Sequence, residues 1–468
     1  MNKLQQCAKL WCYYSSMIKR FQCRLFILYL ILGINASTLA QTIATPDSLF
    51  TGYFRLNSGG WTAGDATLSV PLPDGRIIWL FGDSYLADVD TSTNTLPCLF
   101  QVRNCMLVQD TTNPEQLTTY IDSTQSGVLR STFKLAPDDP SILWPGHGFT
   151  YLDTVFIFLD KIGPNMENNG VYLAKMILPG LEILGIYPLP EQNNILPGRA
   201  VMTDSTTGYR YIYGNKLNWI VWEPYVARIP SDGNPLLDYE YFNGTSWVAD
   251  PLQAVKIMND PVSPGFSVFS YDKKYYLLTQ ENGYLNCGLG RDIYLYESEL
   301  PWGPFENKKT IYTIEDQFNG NYLLTYNAQA HPSFTDHSGL LVSYNLNDWT
   351  DTISPYVCPA QCLDVWHDRL DADTYRPKFI RYLMEEATAA YHYSKEKYSI
   401  IYPNPVARGS AIHWDSKIIE RITLIRLDGS IVRAFDEQPL KAPMKPGCYL
   451  MVIYSSDGSE HHQKLVVY

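Results

Sequence analysis

The chain has 468 residues and a formal net charge of −12, from 36 Lys and Arg against 48 Asp and Glu. This length allows two or three domains, or one large repeat domain with additions. Because the body of the chain has no run rich in Lys or Arg, the sequence excludes a nucleic-acid ligand, which needs a positively charged surface. Aromatic residues make up 14% of the chain, a share that suits either carbohydrate-binding surfaces or an all-β interior.

Residues 1–40 are predicted to be a signal peptide. Three basic residues precede the apolar run Leu25–Ile34, and Thr38–Ala40 supplies a cleavage site. About ten apolar residues are too few to span a bilayer, so we expect no transmembrane anchor in the mature protein. A retained membrane anchor is the alternative interpretation.

From residue 42 onward, short β-rich runs alternate with Gly, Pro, Asn and Asp, which is typical of strands joined by turns. Five stretches share one pattern, in which a strand, a polar turn and a more aromatic strand follow one another. They are Ala66–Phe81, Gly148–Leu159, Arg199–Tyr213, Phe266–Leu278 and His331–Tyr344.

This recurrence predicts a five-bladed β-propeller over residues 41–382, because repeated small sheets bury their faces against their neighbours. A sandwich or another irregular all-β fold is the alternative. Asp371–Tyr382 is expected to form the last strand of the propeller. The charged and small residues at 383–398 indicate a linker or short helix.

Residues 399–468 form a separate unit of alternating strands, predicted to be a small β-sandwich. The unit resembles the type A C-terminal sorting domain of the type IX secretion system. Four motifs carry the resemblance: Tyr402–Pro405, Leu427–Gly429 followed by Ile431-Val432, Pro446–Tyr449 and the closing Lys464–Val466. The resemblance implies export through the periplasm by the type IX machinery, removal of this domain, and a secreted or surface-attached body.

The body resembles secreted bacterial domains of the unknown-function families 4185 and 5005, which are similar to the five-bladed propellers of glycoside hydrolase family 43. The resemblance covers most of residues 50–382. The motifs that carry it include Gly64-Asp65, Leu72–Arg76, Trp79–Asp83, Arg103-Asn104, Tyr326–His331 and Tyr375–Pro377.

Family 43 propellers hydrolyse glycosidic bonds with inversion, using an Asp base, a Glu acid and a second Asp that tunes the acid. The resemblance places the base at Asp65, although the same residue could cap a turn. The chain has Gly198–Ala200 and Val262–Gly265 where the other two carboxylates are expected. Glu223 and Glu281 are then the candidates for the acid, each with a solvated surface role as the alternative.

Asp83 follows the second strand, and a site role and a turn role stay equally open for it. His147 and His331 begin equivalent blade strands and are expected to face the axis, where they would bind sugar hydroxyls, move a proton or hold a cation. Satisfying buried backbone groups is the alternative for both. Other candidate substrate-binding residues, each with a structural alternative, are Trp61, Arg103, Trp144, Arg199 and Trp222.

No His or Cys spacing resembles a zinc site, so no metal-binding residues are predicted, although a cation at the propeller axis stays open. Cys98 with Cys105 and Cys358 with Cys362 are close pairs that an exported protein could oxidise, but spacing does not fix their connectivity.

The sequence therefore predicts a secreted carbohydrate-active protein, a glycoside hydrolase-like propeller that acts on an extracellular glycan. A non-catalytic glycan-binding or surface interaction module on the same fold is the alternative.

Overall fold

The structure is a computed structural model with two compact units, residues 1–384 and 385–468. It describes residues 44–97, 100–110, 112–123, 127, 129–136, 139–163, 166–282, 290–336, 338–347, 369–384, 406–412, 419–426, 431–435, 440–455 and 460–467. The predicted signal peptide, almost all of the predicted linker, and Cys98, Cys358 and Cys362 lie outside these residues. Cys105 is a buried free thiol.

The first unit is a five-bladed β-propeller, as the sequence predicts. Blades 1 and 2 are four-stranded antiparallel sheets in which consecutive strands pair. The strands of blade 1 are Leu68–Pro71, Arg76–Phe81, Cys105–Asp110 and Asn113–Tyr120. Those of blade 2 are Ile142–Tyr151, Thr154–Ile162, Asn168–Ile177 and Glu182–Pro188.

Blades 3 and 4 continue the same antiparallel order, and blade 3 has a fifth strand. The strands of blade 3 are Leu196–Asp204, Tyr209–Asn218, Val221–Pro230, Glu240–Phe242 and Trp247–Val248. Those of blade 4 are Ser267–Tyr271, Lys274–Gln280, Asp292–Ser298 and Glu306–Thr313.

Blade 5 closes the ring with a strand from the beginning of the described chain. Its inner strands Leu324–Asp336 and Gly339–Asn347 are followed by Lys378–Tyr382, within the predicted last strand, and Ala44–Pro46 pairs with Lys378–Tyr382 as the outermost strand. The ion pair between Arg381 Nε and Asp47 Oδ2, at 2.9 Å, fastens this closure. Asp47 also caps the helix Ser48–Tyr53.

Each pair of adjacent blades encloses its own apolar core, so the propeller has a ring of interfaces instead of one central core. The strand Arg76–Phe81 explains why the run Ile77–Phe81 is apolar throughout. Successive side chains of a strand point to opposite faces, and here Trp79 and Phe81 pack towards blade 5 while Ile78 and Leu80 pack towards blade 2. Both faces of the strand are therefore buried.

The innermost strands contact one another around the axis, from blade 1 to blade 2 and onward to blade 5 and back. Glycines permit this approach. A Cβ on Gly146 would lie 2.6 Å from the carbonyl oxygen of Gly198, and Gly198 itself has φ +86°. The inner strands of blades 2 and 3 have register shifts at these glycines, which redirect neighbouring side chains.

Short pairings and turns complete the first unit. The paired segments are Ala63–Gly64 with Ser84–Tyr85, Thr95–Pro97 with Arg369–Asp371, Asp122–Ser123 with Leu129–Arg130, and Gln317–Phe318 with Asn321–Tyr322. Two 3-10 turns lie at Pro251–Gln253 and Ala372–Thr374.

The second unit has a four-stranded antiparallel sheet and a separate two-stranded pairing. Its strands are Ala411–Ile412, Ile419–Arg426, Ile431–Phe435, Leu440–Lys441, Gly447–Ser455 and Glu460–Val467. One apolar core includes residues of both pairings, Ile412 and Leu440 among them. The β-sandwich and the boundary at 399 stay predictions.

Candidate functional site

The candidate site begins where the chain enters the inner strand of blade 1. Asp65 N–H donates to the carbonyl oxygen of Asp83 at 3.3 Å, and Gly82 N–H donates to the carbonyl oxygen of Asp65 at 3.0 Å. One residue thus faces two on the neighbouring segment, which is the arrangement of a β-bulge. The bulge brings Asp65 and Asp83, separated by 17 residues along the chain, next to each other.

Two tyrosines hold the Asp65 carboxylate. The hydroxyls of Tyr326, on the inner strand of blade 5, and of Tyr375 both donate to Asp65 Oδ2 at 3.2 Å. A Cβ on Gly82 would lie 2.6 Å from Asp65 Oδ1, so only glycine leaves room for the carboxylate at this point. The Asp65 side chain therefore has a fixed position.

Asp83 is held by blade 2 and by the loop before the third strand of blade 1. Arg103 Nε lies 2.7 Å from Asp83 Oδ1, and the Trp144 indole N–H donates to the same oxygen at 3.2 Å. The Arg103 guanidinium also lies 4.7 Å from the ring centre of Phe100. The Asp83 side chain is 12% exposed and that of Arg103 is 34% exposed, so the pair is reachable from solvent.

Burial raises the pKa of both carboxyl groups, to about 6 for Asp65 and about 7 for Asp83, from an ordinary value of 3.8. The negative charge of Asp65 raises the pKa of Asp83 further, and Arg103 lowers it. The hydroxyls of Tyr375 and Tyr326 lower the pKa of Asp65. Two close carboxylates cannot both ionise easily, so the pair retains a proton close to neutral pH.

An ion pair joins blade 2 to blade 3 at the residue that faces Trp144 across the ladder. Trp144 pairs in register with Asp160 on the next strand. Asp160 Oδ2 lies 2.6 Å from Arg199 Nη1, and Arg199 Nε donates to Asn215 Oδ1 at 3.1 Å. Arg199 is thus positioned by an ion pair with blade 2, beside the register shift in its own strand.

The two predicted acids do not contact this carboxyl pair. Glu223 lies on the third strand of blade 3, where Oε1 is 3.1 Å from Lys256 Nζ and Oε2 accepts from Asn218 and Tyr225. Glu281 follows the second strand of blade 4, is exposed, and accepts from the Arg291 backbone N–H at 3.0 Å.

The two predicted histidines differ in environment. His331 is fully buried, with Nδ1 2.8 Å from Ser69 Oγ and Nε2 2.8 Å from Ser343 Oγ. Burial lowers its pKa to about 3, so it is a neutral core residue that joins blade 5 to blade 1. His147 is half-buried, its Nδ1–H donates to the Gly148 carbonyl oxygen at 2.8 Å, and burial lowers its pKa to about 4.

The three predicted tryptophans also differ in environment, and only one of them contacts the carboxyl pair. Trp144 belongs to the site through its hydrogen bond to Asp83. Trp61 has no exposed surface and packs against Phe54 and Phe81, so a ligand cannot stack on it. Trp222 is half-buried and packs on the core between blades 3 and 4.

Neither of two cavities in the propeller is lined by Asp65 or Asp83. One, of about 560 Å³, lies between the outer parts of blades 3 and 4 beside Trp302, and one of about 350 Å³ lies at the ring closure beside Phe50. Within the described ranges, no three His, Cys, Asp or Glu side chains are grouped so that they could hold a metal ion.

Sequence reasoning left Asp83 undecided and assigned no role to Tyr326 and Tyr375. The two tyrosines are 261 and 310 residues from Asp65 along the chain. The available signal was that Asp83, Tyr326 and Tyr375 all stand within motifs that resemble the unknown-function families.

Residues 47–396 match the family described as "Domain of unknown function (DUF5005)". The chain belongs to the DUF5005 family. The sequence resemblance to unknown-function family 5005 is thereby confirmed, whereas those to family 4185 and to the sorting domain stay predictions. No curated protein sequence matches this DUF5005 protein closely enough to count as a relative.

Among solved structures, the DUF5005 protein is similar to a "putative hydrolase from Bacteroides ovatus ATCC 8483", with 22% identity, a TM-score of 0.56, and coverage of 72% of this chain and 89% of that one. At this identity the similarity shows a shared fold alone.

Two further matches are a "thermostable family-43 glycoside hydrolase" (14% identity, 70% and 91% coverage, TM-score 0.35) and a Cellvibrio cellulosa "alpha-L-arabinanase mutant" (10% identity, 70% and 94% coverage, TM-score 0.39). TM-scores this low carry no inference about function. Across the described part of the chain, no helix is long and apolar enough to cross a membrane.

Proposed function

We propose that this DUF5005 protein is a secreted glycoside hydrolase that acts on an extracellular glycan through Asp65 and Asp83. The observation that carries the proposal is the pair itself. Two carboxyl groups with raised pKa values lie side by side, with a cation, an indole N–H and two phenol hydroxyls directed at them. Hydrolysis of a glycosidic bond requires two such carboxyl groups with different protonation states.

Asp83 is the proton donor in this proposal, because its pKa is about 7 and it keeps a proton close to neutral pH. It protonates the glycosidic oxygen as the bond to the anomeric carbon breaks. Asp65 reacts as the anion, which the hydroxyls of Tyr326 and Tyr375 stabilise. Arg103 holds Asp83 in position and stabilises the charge that Asp83 acquires when it has given up its proton.

The stereochemical course is part of the proposal, and the backbone pairing of Asp65 with Asp83 supports it. Residues opposite each other in antiparallel pairing have Cα atoms about 4.5–5.5 Å apart, and Asp65 faces Asp83 across the bulge. Such pairing favours the short carboxyl separation of a retaining enzyme, in which one carboxylate attacks the anomeric carbon, over the wider separation of an inverting one. We therefore propose a covalent intermediate on Asp65 that water then hydrolyses, in place of the inversion that the sequence resemblance implies.

A panel of polysaccharides and aryl glycosides tests the proposal, with released reducing ends as the readout. We expect the wild-type protein to release product from at least one substrate, and Asp65→Asn and Asp83→Asn to lower the rate by 10² or more. Asp110→Asn is the matched control, because Asp110 is an exposed carboxylate on the same blade. Equal rates for all four proteins, or no product from any, would refute the proposal.

A non-catalytic glycan-binding module is the second candidate. It is favoured by the stretches Gly198–Ala200 and Val262–Gly265, which hold no carboxylate where the resemblance expects one in the third and fourth blades. Glycan binding that survives in the double variant Asp65→Asn, Asp83→Asn without any hydrolysis by the wild type supports it. Export through the periplasm, passage by the type IX secretion machinery and a secreted or surface-attached location rest on the sequence signals in residues 1–40 and 399–468.

A further inference from the structure

We infer that a hairpin of blade 3 with Trp219 at its tip is a binding subsite for a glycan chain several sugar units long. The inference rests on the proposed function and names its substrate class, an oligomeric or polymeric glycan. Trp219 and Ile220 form the two-residue turn between Asn218 and Val221. The Trp219 side chain is 87% exposed, and the neighbouring apolar residues Leu217, Ile220 and Val221 are exposed as well.

The hairpin projects from the face of the propeller that carries Asp65 and Asp83. All inner strands of a propeller run in one direction, and Asp65 precedes the inner strand of blade 1. The inner strand of blade 3 begins at Leu196, which pairs with Asn215. The hairpin continues from Asn215 beyond this pair, and so beyond the end of the inner strand, on the same side as Asp65.

Contacts in blades 1, 2 and 3 relate the hairpin to the carboxyl pair. Trp144 donates to Asp83 and pairs along the backbone with Asp160, whose side chain pairs with Arg199. Arg199 donates to Asn215, where the hairpin leaves the body of blade 3. Trp219 is four residues beyond Asn215, and because an extended chain advances about 3.3 Å per residue, the two residues are roughly 13 Å apart along the hairpin. A ligand that contacts both Asp83 and Trp219 must therefore be longer than one sugar.

The conformation of Trp219 is strained for a bulky residue. Its φ is +59°, in the left-handed region that glycine favours and bulky residues avoid. A full indole at this position contributes little to the core, because it is almost wholly exposed. Strained residues persist where surrounding contacts impose them, which is a pointer to function.

The chemistry around the tip fits a sugar better than a lipid surface. Lys216, Asn218, Glu223 and Lys256 surround the base of the hairpin, and Glu223 accepts from Asn218 and pairs with Lys256. An exposed aromatic face next to charged and amide groups matches a pyranose or furanose ring, which has an apolar face and a rim of hydroxyls. The net charge of −12 opposes binding to anionic lipid.

Leu152 provides a matched control. It is 76% exposed, has φ +54°, and begins a two-residue turn between Tyr151 and Thr154. That turn follows the end of an inner strand, so Leu152 lies on the opposite face from Asp65. The variants Trp219→Ala, Trp219→Phe and Leu152→Ala therefore separate the subsite from the general effect of removing an exposed apolar residue from a strained turn.

The experiment compares hydrolysis of a polysaccharide (arabinan, galactan or xylan, whichever the wild type cleaves) with that of the corresponding aryl monoglycoside. We expect Trp219→Ala to lower kcat/KM for the polysaccharide about tenfold through KM, with the monoglycoside unaffected. Trp219→Phe retains most of the activity, because a flat ring is restored, and Leu152→Ala behaves as the wild type. Equal effects on both substrates, or no effect on the polysaccharide, would overturn the inference.

Affinity electrophoresis in gels containing the same three polysaccharides separates this inference from the proposed hydrolase. If a polysaccharide slows the migration of the wild type but not of Trp219→Ala, and the wild type hydrolyses none of the three, the proposed hydrolase activity is refuted and the binding subsite is supported. No retardation of the wild type in any gel, with no hydrolysis, overturns both. Trp219-dependent binding to phosphatidylcholine vesicles without binding to any polysaccharide overturns the subsite in favour of a lipid surface.

Discussion

Replacing Asp83 by Asn is expected to stabilise the propeller at alkaline pH while abolishing hydrolysis. The pKa of Asp83 is raised to about 7 in the folded protein, chiefly by burial, against an ordinary value near 3.8. Between these two pH values the folded state binds more protons than the unfolded state, so the free energy of unfolding falls as pH rises. Because Asn at position 83 cannot ionise, the variant does not lose unfolding free energy through this residue as the pH rises.

The magnitude follows from 1.36 kcal/mol per pKa unit. From pH 5 to pH 8 the wild type is expected to lose about 3 kcal/mol of unfolding free energy through Asp83. The difference in stability between Asp83→Asn and the wild type should therefore move by about 3 kcal/mol in favour of the variant over this range.

Urea unfolding of the full chain at pH 5, 6, 7 and 8, followed by Trp fluorescence, measures this difference. Asp110→Asn is the control, since Asp110 is exposed and its hydrogen bonds with Thr112 lower its pKa, so no alkaline gain is expected. A stability difference between Asp83→Asn and the wild type that is constant from pH 5 to pH 8 would refute the reasoning.

Three further predictions concern the site and the blade contacts. Arg103→Leu should raise the pKa of Asp83, since the guanidinium lowers it, and thus move the alkaline limb of kcat/KM to higher pH by about one unit; an unmoved limb argues against Asp83 as the acid. His331→Ala should lower the free energy of unfolding by about 3 kcal/mol, because it opens a cavity and leaves two buried serine hydroxyls unpaired, measured by urea unfolding. Gly198→Ala should lower the thermal midpoint by several degrees in calorimetry, because its φ is +86° and a Cβ would overlap the Phe158 ring; an unchanged midpoint contradicts the close packing of Gly198 on Phe158.

The propeller was predictable because its pattern is local. Each predicted strand–turn–strand unit lies within one stretch of about 15 residues, and the fully apolar run Ile77–Phe81 already indicates a strand buried on both faces. The closing strand Ala44–Pro46 has three residues and pairs with Lys378–Tyr382. Nothing local in so short a segment indicates a partner more than 300 residues away.

The sequence predicted Asp65, Arg103 and Trp144 as site residues, but not the contacts that they make. Asp65 stands in a recognisable motif, whereas its partners depend on how blades 1, 2 and 5 come together. The sequence leaves a turn role and a site role equally open for Asp83, and only the bulge opposite Asp65 brings the two residues together. Glu223 shows the converse, since it is a candidate acid in the sequence, but Lys256, 33 residues away, pairs with it.

The anomeric configuration of the first product tests the central claim most directly. Proton NMR during hydrolysis by the wild type should show the product first in the configuration of the substrate, because we propose that Asp65 is the nucleophile and Asp83 the acid of a retaining enzyme. Asp65→Asn and Asp83→Asn should each give no detectable product over the same interval. Product that first appears inverted, or product formed at an undiminished rate by either variant, would contradict the account.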